Sequence, residues 1–66
     1  MARLSSRLTP AEVDALDYDL LVAITKAEDL GLDSDVARLE RIRDTLDTYS
    51  IITAPDQIFL GQFYDL

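Results

Sequence analysis

Between Thr9 and Gly31, apolar residues recur every three or four positions, which is the spacing of an amphipathic α-helix. One face of this helix collects a band of apolar side chains: Val13, Leu16, Leu20, Ile24 and Ala27, with Leu21 on its edge. A band of this width is typical of a helix that turns one side toward a protein core.

Both ends of this first helix carry recognisable signals. The TPAE stretch at Thr9–Glu12 is a capping box with proline at the first helical position. Leu8 and Val13 occupy the two positions of a hydrophobic staple. Gly31 is expected to take the left-handed conformation that ends a helix, with Leu32 supplying the apolar contact that often follows. The predicted helix therefore spans about residues 10–30.

A second helix is predicted at about residues 35–50, capped by Asp33 or Ser34. Its apolar positions are spaced 3, 4 and 3 apart: Leu39, Ile42, Leu46 and Tyr49. This narrow stripe is typical of a coiled-coil seam. Because the connection between the two helices is only a few residues long, they should be antiparallel neighbours.

Three arginines lie in the second helix, and acidic residues stand three or four positions from them. Pairs at this spacing face each other along one helix. The expected pairing joins Arg38, Arg41 and Arg43 to Asp35, Asp44 and Asp47. Such pairing predicts a solvated face on the second helix.

Residues 51–66 hold three of the chain's five aromatic residues, and two structures are compatible with them. In the favoured one, Thr53 or Ala54 caps a short helix with Phe59, Phe63 and Leu66 on one face. In the other, residues 54–57 form a type I turn between the β-prone segments 51–53 and 58–60. The predicted fold is all-α: an antiparallel helical hairpin (about 10–30 and 35–50) with a short C-terminal helix or extended tail. Residues 1–8 form a short arm, and residues 9–66 form a single small helical domain.

The chain has 66 residues, and a chain this short buries a small share of its surface on folding. It contains no cysteine and no histidine, so disulfides and the usual zinc ligands are missing. Its hydrophobic content is nevertheless 48%. We therefore expect it to be fully stable only in association with its own copies or within a larger assembly.

The net charge of −7 argues against direct binding of nucleic acid or of an anionic membrane surface. The longest apolar run, Leu20–Ile24, is far too short to span a bilayer. The N-terminal residues lack the apolar core of a signal peptide. The expected location is the cytoplasm or a viral particle, and the size suits an accessory protein of a virus or a bacterium.

The sequence gives little support to a catalytic function. Without histidine or cysteine there is no nucleophilic triad, and Asp17 and Glu28 would stand about 16 Å apart along a helix. The segment Asp29–Glu40 has the length of an EF-hand loop, but Gly31 and Ser34 stand where a ligand and a glycine are needed. No catalytic residue, metal site or cofactor is predicted.

A second apolar line, opposite the core face of the first helix, gives the main functional hypothesis: Ala11, Ala15, Tyr18 and Val22. Scattered exposed apolar residues would also account for this line. The favoured interpretation is that this helix packs on two sides, the second against the tail or another chain. The protein would then be a subunit or adaptor that docks through apolar faces. The predicted partner-binding residues are Ala15, Tyr18, Val22, Phe59, Phe63 and Tyr64.

The alternative hypothesis is an acidic inhibitor, resembling a nucleic-acid mimic or an antitoxin, that occupies the basic site of a partner protein. Its surface would consist of five aspartates: Asp14, Asp17, Asp29, Asp33 and Asp35. Solubility and matching of the helix dipole also account for acids at these positions. Steep weakening of binding by salt would distinguish the acidic surface from an apolar one.

Overall fold

The computed structural model describes residues 7–65, with side chains described for residues 7–64. Three α-helices follow one another, α1 (Pro10–Asp29), α2 (Asp33–Tyr49) and α3 (Ala54–Gly61), and a 3-10 helix (Gln62–Asp65) ends them. The predicted all-α hairpin with a short C-terminal helix is confirmed, and residues 7–65 contain no strand. Residues 1–6 of the predicted arm, and Leu66, lie outside the described residues.

The start of α1 follows the predicted capping box. The backbone N–H of Glu12 donates to Thr9 Oγ1 at 3.2 Å, and the N–H of Thr9 donates to Glu12 Oε1 at 2.8 Å. Leu8 and Val13 are both half-buried against the core. These contacts satisfy N–H groups that every helix start leaves free, so they hold the beginning of α1 in one position.

The turn between α1 and α2 is a Schellman motif. The N–H of Leu32 donates to Ala27 O at 2.9 Å, the N–H of Gly31 donates to Glu28 O at 3.1 Å, and Gly31 has φ +73°. Glycine has no Cβ to oppose this left-handed conformation, so the predicted helix end is confirmed.

The predicted side-chain cap of α2 was wrong. The helix starts at Asp33, the residue before it is Leu32, and no side chain caps it. The physical reason lies in the short turn: Leu32 completes the Schellman motif through its N–H, and its carbonyl already accepts from the N–H of Val36 at 3.0 Å. Leu32 itself remains exposed, so it joins the helices through its backbone.

The core lies between α1 and α2 and is closed by the C-terminal segment, which contacts α1. Its buried side chains are Leu20, Ala23, Ile24, Ala27, Leu39, Ile42, Leu46, Leu60 and Phe63. The C-terminal part of the predicted face of α1 and most of the α2 stripe therefore meet as predicted. Burial of these side chains is the main favourable contribution to folding.

Tyr49 is the member of the predicted α2 stripe that does not reach the core, since it is 59% exposed. The reason is the end of the helix at that residue. Ser50 takes a left-handed conformation with φ 58°, which turns the chain away, and its carbonyl accepts from the N–H of Leu8 at 2.8 Å. This hydrogen bond joins the segment before α1 to the end of α2.

The segment after α2 folds as the favoured short helix. Thr53 Oγ1 accepts from the N–H of Asp56 at 3.3 Å and caps α3. Leu60 and Phe63 then enter the core. The alternative of two β-prone segments around a turn is excluded, because residues 54–61 are helical.

Two arginines of α2 form ion pairs between helices instead of along α2, which corrects their predicted pairing. Arg38 Nη2 lies 3.4 Å from Asp56 Oδ1 of α3, and Arg43 Nε lies 3.6 Å from Asp17 Oδ1 of α1. Because the α2 stripe is narrow, residues beside it stand at the edges of the helix interfaces, where acids of the neighbouring helices come within reach.

Candidate functional site: an exposed apolar strip on α1

The outward side of α1 carries the strip of residues that the sequence indicated, extended by one turn. We call the following five residues the outer strip: Ala11, Ala15, Tyr18, Val22 and Thr25. All five are exposed; Tyr18 is 68% and Val22 is 37% exposed. Their spacing of 4, 3, 4 and 3 keeps them in one line along a helix, nearly opposite the buried Leu20 and Ala27.

Leu21 widens this apolar surface. The sequence placed it on the edge of the core face, but in the structure it is 45% exposed and lies beside the outer strip. Leu21, Val22, Thr25 and Lys26 line a shallow open depression of about 340 Å³. Leu21 and Thr25 were missed as site residues, although continuing the spacing of three and four past Val22 leads to Thr25.

The C-terminal segment borders the outer strip without covering it. Lys26 Nζ donates to the backbone oxygen of Phe63 at 3.1 Å, and the hydroxyl of Tyr64 donates to Asp19 Oδ2 at 2.9 Å. Both contacts lie on one flank of α1, and Tyr18 and Val22 stay exposed. Up to residue 64, therefore, the tail does not cover this face.

The location of Tyr64 beside Asp19 raises the pKa of its hydroxyl. Partial burial raises the pKa of Tyr64 above its usual 10.0, and the hydrogen bond to Asp19 and the charge of that carboxylate raise it further. The phenol therefore keeps its proton at neutral pH and remains a donor to Asp19.

The aromatic side chains of the tail do not form one exposed surface. Phe63 is 4% exposed and belongs to the core, so it is not available as the docking residue that the sequence suggested. Phe59 is half-buried, with its ring 5.3 Å from that of Phe63 at an interplanar angle of 75°. The guanidinium carbon of Arg38 lies 4.1 Å from the centre of the Phe59 ring. These contacts hold the tail on the hairpin, and Tyr64 is the exposed aromatic residue of the three.

The five predicted acidic residues do not form one continuous surface. Asp14 lies in the first turns of α1, about 22 Å along the helix from Asp29. Asp33 and Asp35 start α2, close to Asp29 at the turn. Residues 31–35 line a second open depression there, of about 360 Å³.

Asp17, the fifth of these acids, is half-buried at the interface of α1 and α2. Burial raises the pKa of Asp17, as do a hydrogen bond with Asp47 and the negative charge of Asp47; Arg43 opposes the shift, and Asp14 adds to it. The 3.6 Å between Arg43 Nε and Asp17 Oδ1 is long for a hydrogen bond, and neither atom has another partner. Asp17 therefore belongs to the packing of the hairpin.

Among the described residues, no group of three or more acidic side chains is arranged to hold a metal ion. No helix within residues 7–65 is long and apolar enough to cross a membrane. Comparisons with models of protein families, with curated proteins and with solved structures gave no significant match to this chain. The candidate site is the outer strip with Leu21 beside it, where Tyr18, Leu21 and Val22 are exposed on one side of α1.

Proposed function

We propose that this protein is a non-enzymatic binding or assembly component that docks on another protein chain through the outer strip of α1. The observation that supports this proposal is the alignment of exposed apolar side chains, Tyr18, Leu21 and Val22, on the side of α1 away from the core. Single exposed apolar residues are common on proteins. A line of them along a helix is expected where a second packing surface exists.

The strip has the physical properties of a docking surface. Tyrosine is enriched among residues that dominate binding energies, and Tyr18 presents most of its side chain to solvent. The backbone below it is already ordered, because α1 is capped at Thr9 and anchored in the core by Leu20 and Ile24. Docking on such a rigid helix costs little ordering entropy, so more of the contact energy contributes to affinity.

The acidic inhibitor receives less support. Its five aspartates are divided between the start of α1 and the turn, and Asp17 is engaged with Arg43 and Asp47. An acidic inhibitor acts through a negative patch that meets a positive patch of its partner, and dividing the acids weakens such a patch. We therefore rank the acidic inhibitor below docking through the outer strip, which only Asp14 of the five aspartates flanks.

The test compares two tyrosines of similar exposure. Tyr18→Glu introduces a charge into the outer strip, and Tyr49→Glu introduces the same charge on α2, where Tyr49 is also exposed. The wild type and both variants are purified from the native source with an affinity tag, and their solution mass is measured at micromolar concentration. Circular dichroism verifies that both variants stay folded.

We expect association that persists at high salt and is retained by Tyr49→Glu but lost by Tyr18→Glu. Apolar contacts are insensitive to screening, so salt tolerance separates them from an acidic surface. A stably folded wild-type monomer with no co-purifying partner would contradict the proposal. Equal loss of association in both variants would also contradict it.

A further inference from the structure

The outer strip has the register of a coiled-coil seam. Its spacing of 4, 3, 4 and 3 places Ala15 and Val22 at the a positions of a heptad and Ala11, Tyr18 and Thr25 at the d positions. In this register Leu20 and Ala27 are f residues, which lie opposite the seam, and both are fully buried in the protein's own core. The seam and the core therefore occupy opposite sides of α1, and a facing helix can lie along the seam without disturbing the hairpin.

The residues that flank a coiled-coil seam, at the e and g positions, set the choice of partner. On α1 these positions hold Glu12, Asp14, Asp19, Leu21, Lys26 and Glu28. Lys26 is the single basic residue of α1, and the other charged flanking residues are acids. The strip is thus an apolar line between two mostly negative edges.

A second copy of this chain fits these edges poorly. In an antiparallel pair, Asp14 faces Glu28 of the other copy, and Asp19 faces Asp19 of the other copy. The one attractive pair joins Glu12 to Lys26 of the other copy. In a parallel pair, Asp14 faces Asp19. Like charges across a seam disfavour association and select against the wrong partner. Self-pairing through this face is therefore opposed by charge.

We propose, building on the function proposed above, that the occupant of the outer strip is a single helix of a different protein. Its apolar stripe has the same heptad spacing, and lysine or arginine residues flank that stripe. The apolar stripe would cover Tyr18 and Val22, and the basic residues would meet the exposed Asp14 and Glu28, on the flank away from the Tyr64–Asp19 contact. Hydrophobic contact supplies affinity in this arrangement, and the complementary charges determine which helices bind.

The strip also sets where bulky residues of the occupant belong. Ala11 and Ala15 are small and exposed, so the facing helix approaches closely or places large side chains there. Farther along α1, the depression beside Leu21 and Val22 is a recess for one side chain of the facing helix. Tyr18 stands between the two regions as the large side chain that α1 itself contributes.

The test uses the full chain and three synthetic peptides of about three heptads each. The first peptide has leucine at a and d and lysine at e and g; the second has glutamate in place of lysine. The third has the composition of the first, with the leucines redistributed so that no apolar stripe forms. Fluorescence anisotropy measures binding at low and at high salt, and amide chemical shifts locate it on the protein.

We expect the lysine-flanked stripe to bind at least about tenfold more tightly than the glutamate-flanked one at low salt, with shifts concentrated at residues 11–25. Tyr18→Glu should weaken this binding at least about tenfold, and Tyr49→Glu should leave it unchanged. The double variant Asp14→Asn/Glu28→Gln should narrow the difference in affinity between the lysine-flanked and the glutamate-flanked peptide. Glu40→Gln/Asp44→Asn, which removes two exposed acids of α2, is its matched control.

Other results would overturn the inference, and each of them shows whether the proposed function is contradicted as well. Equal binding of the lysine- and glutamate-flanked peptides, lost in Tyr18→Glu, contradicts the basic partner and leaves the docking strip in place. Self-association that Tyr18→Glu abolishes identifies a second copy as the occupant, which also contradicts the inference alone. Equal binding of the redistributed peptide, or binding unaffected by Tyr18→Glu, contradicts both.

Discussion

The two faces of α1 are built from similar residues and meet different surroundings. On the inner face, Leu20 and Ile24 pack against α2 and the C-terminal segment. On the outer face, Tyr18 and Val22 follow the same helical spacing, yet they remain exposed. The comparison shows that apolar periodicity identifies faces of a helix, whereas burial depends on whether another element presents a matching surface. Here α2 and the tail supply enough apolar surface for one face.

The largest difference between the faces is expected from removing an apolar side chain. Leu20→Ala should lower the free energy of unfolding by about 3–5 kcal/mol, because Leu20 is completely buried and its loss leaves a cavity. Val22→Ala should change it by less than about 0.5 kcal/mol, because Val22 is at the surface. Urea unfolding followed by circular dichroism measures both. A cost of several kcal/mol for Val22→Ala would show that the outer face is already covered in solution.

Enlarging a small residue probes the same contrast from the opposite direction. Ala27 has no exposed surface, so Ala27→Leu should overpack the core and destabilise the protein by about 1–3 kcal/mol. Ala15→Leu on the outer strip should change the stability by less than about 0.5 kcal/mol. Thermal unfolding of the two variants gives the comparison. Equal destabilisation by Ala27→Leu and Ala15→Leu would mean that neighbouring atoms leave as little space at the outer face as in the core.

A smaller effect is expected where the tail borders the outer strip. Tyr64→Phe removes the hydroxyl that donates to Asp19, at a cost of about 0.5 kcal/mol because this hydrogen bond is exposed to solvent. Tyr49→Phe is the control, since Tyr49 is an exposed tyrosine at the end of α2. Urea midpoints compare the two variants with the wild type. If Tyr64→Phe destabilises no more than the control, the hydrogen bond does not hold the tail against α1.

The smallest effect concerns pH and the carboxyl of Asp17. Its pKa is raised above the ordinary 3.8, first by burial and then by its hydrogen bond with Asp47 and the charge of that residue. The folded state therefore holds this proton more tightly than the unfolded state. The stability contributed by protonated Asp17 is complete below the unfolded pKa and is lost as the pH rises through the raised folded value.

Asp47→Asn should reduce this loss, since it removes the charge of Asp47 and leaves burial and the charge of Asp14 to raise the pKa of Asp17. Urea midpoints between about pH 3 and pH 7 measure the profile. Asp44→Asn, on the exposed side of α2, removes the same charge from the protein and is the control. Identical profiles for both variants would indicate that net charge, and not Asp47, governs the effect.

Local sequence signals were sufficient to predict the ends of α1 and the all-α class of the fold. Thr9 and Glu12 cap each other across three residues, and Gly31 ends the helix through bonds to the turn before it. These interactions join neighbours in the chain, so their pattern is visible in the order of residues. The start of α2 lacked such a signal, because Leu32 connects the helices through backbone groups that every residue possesses.

What only the tertiary structure decided depends on contacts between residues far apart in the chain. Arg43 of α2 lies near Asp17 of α1, and Arg38 of α2 lies near Asp56 and Phe59 of α3. Phe63 is buried and Tyr64 is exposed, although they are adjacent, since a 3-10 helix turns consecutive side chains in different directions.

By itself, the sequence determined that α1 has two apolar faces, because the period of a helix orders Leu20 and Tyr18 onto opposite sides. It did not determine which face the tail would cover, because that depends on where α3 brings Phe63 against the hairpin. The structure resolved this choice: Phe63 completes the core, and Tyr64 reaches only the flank of α1. The described part of the tail leaves the outer strip exposed, because Phe63, which the sequence suggested as a docking residue, is used in packing the interior.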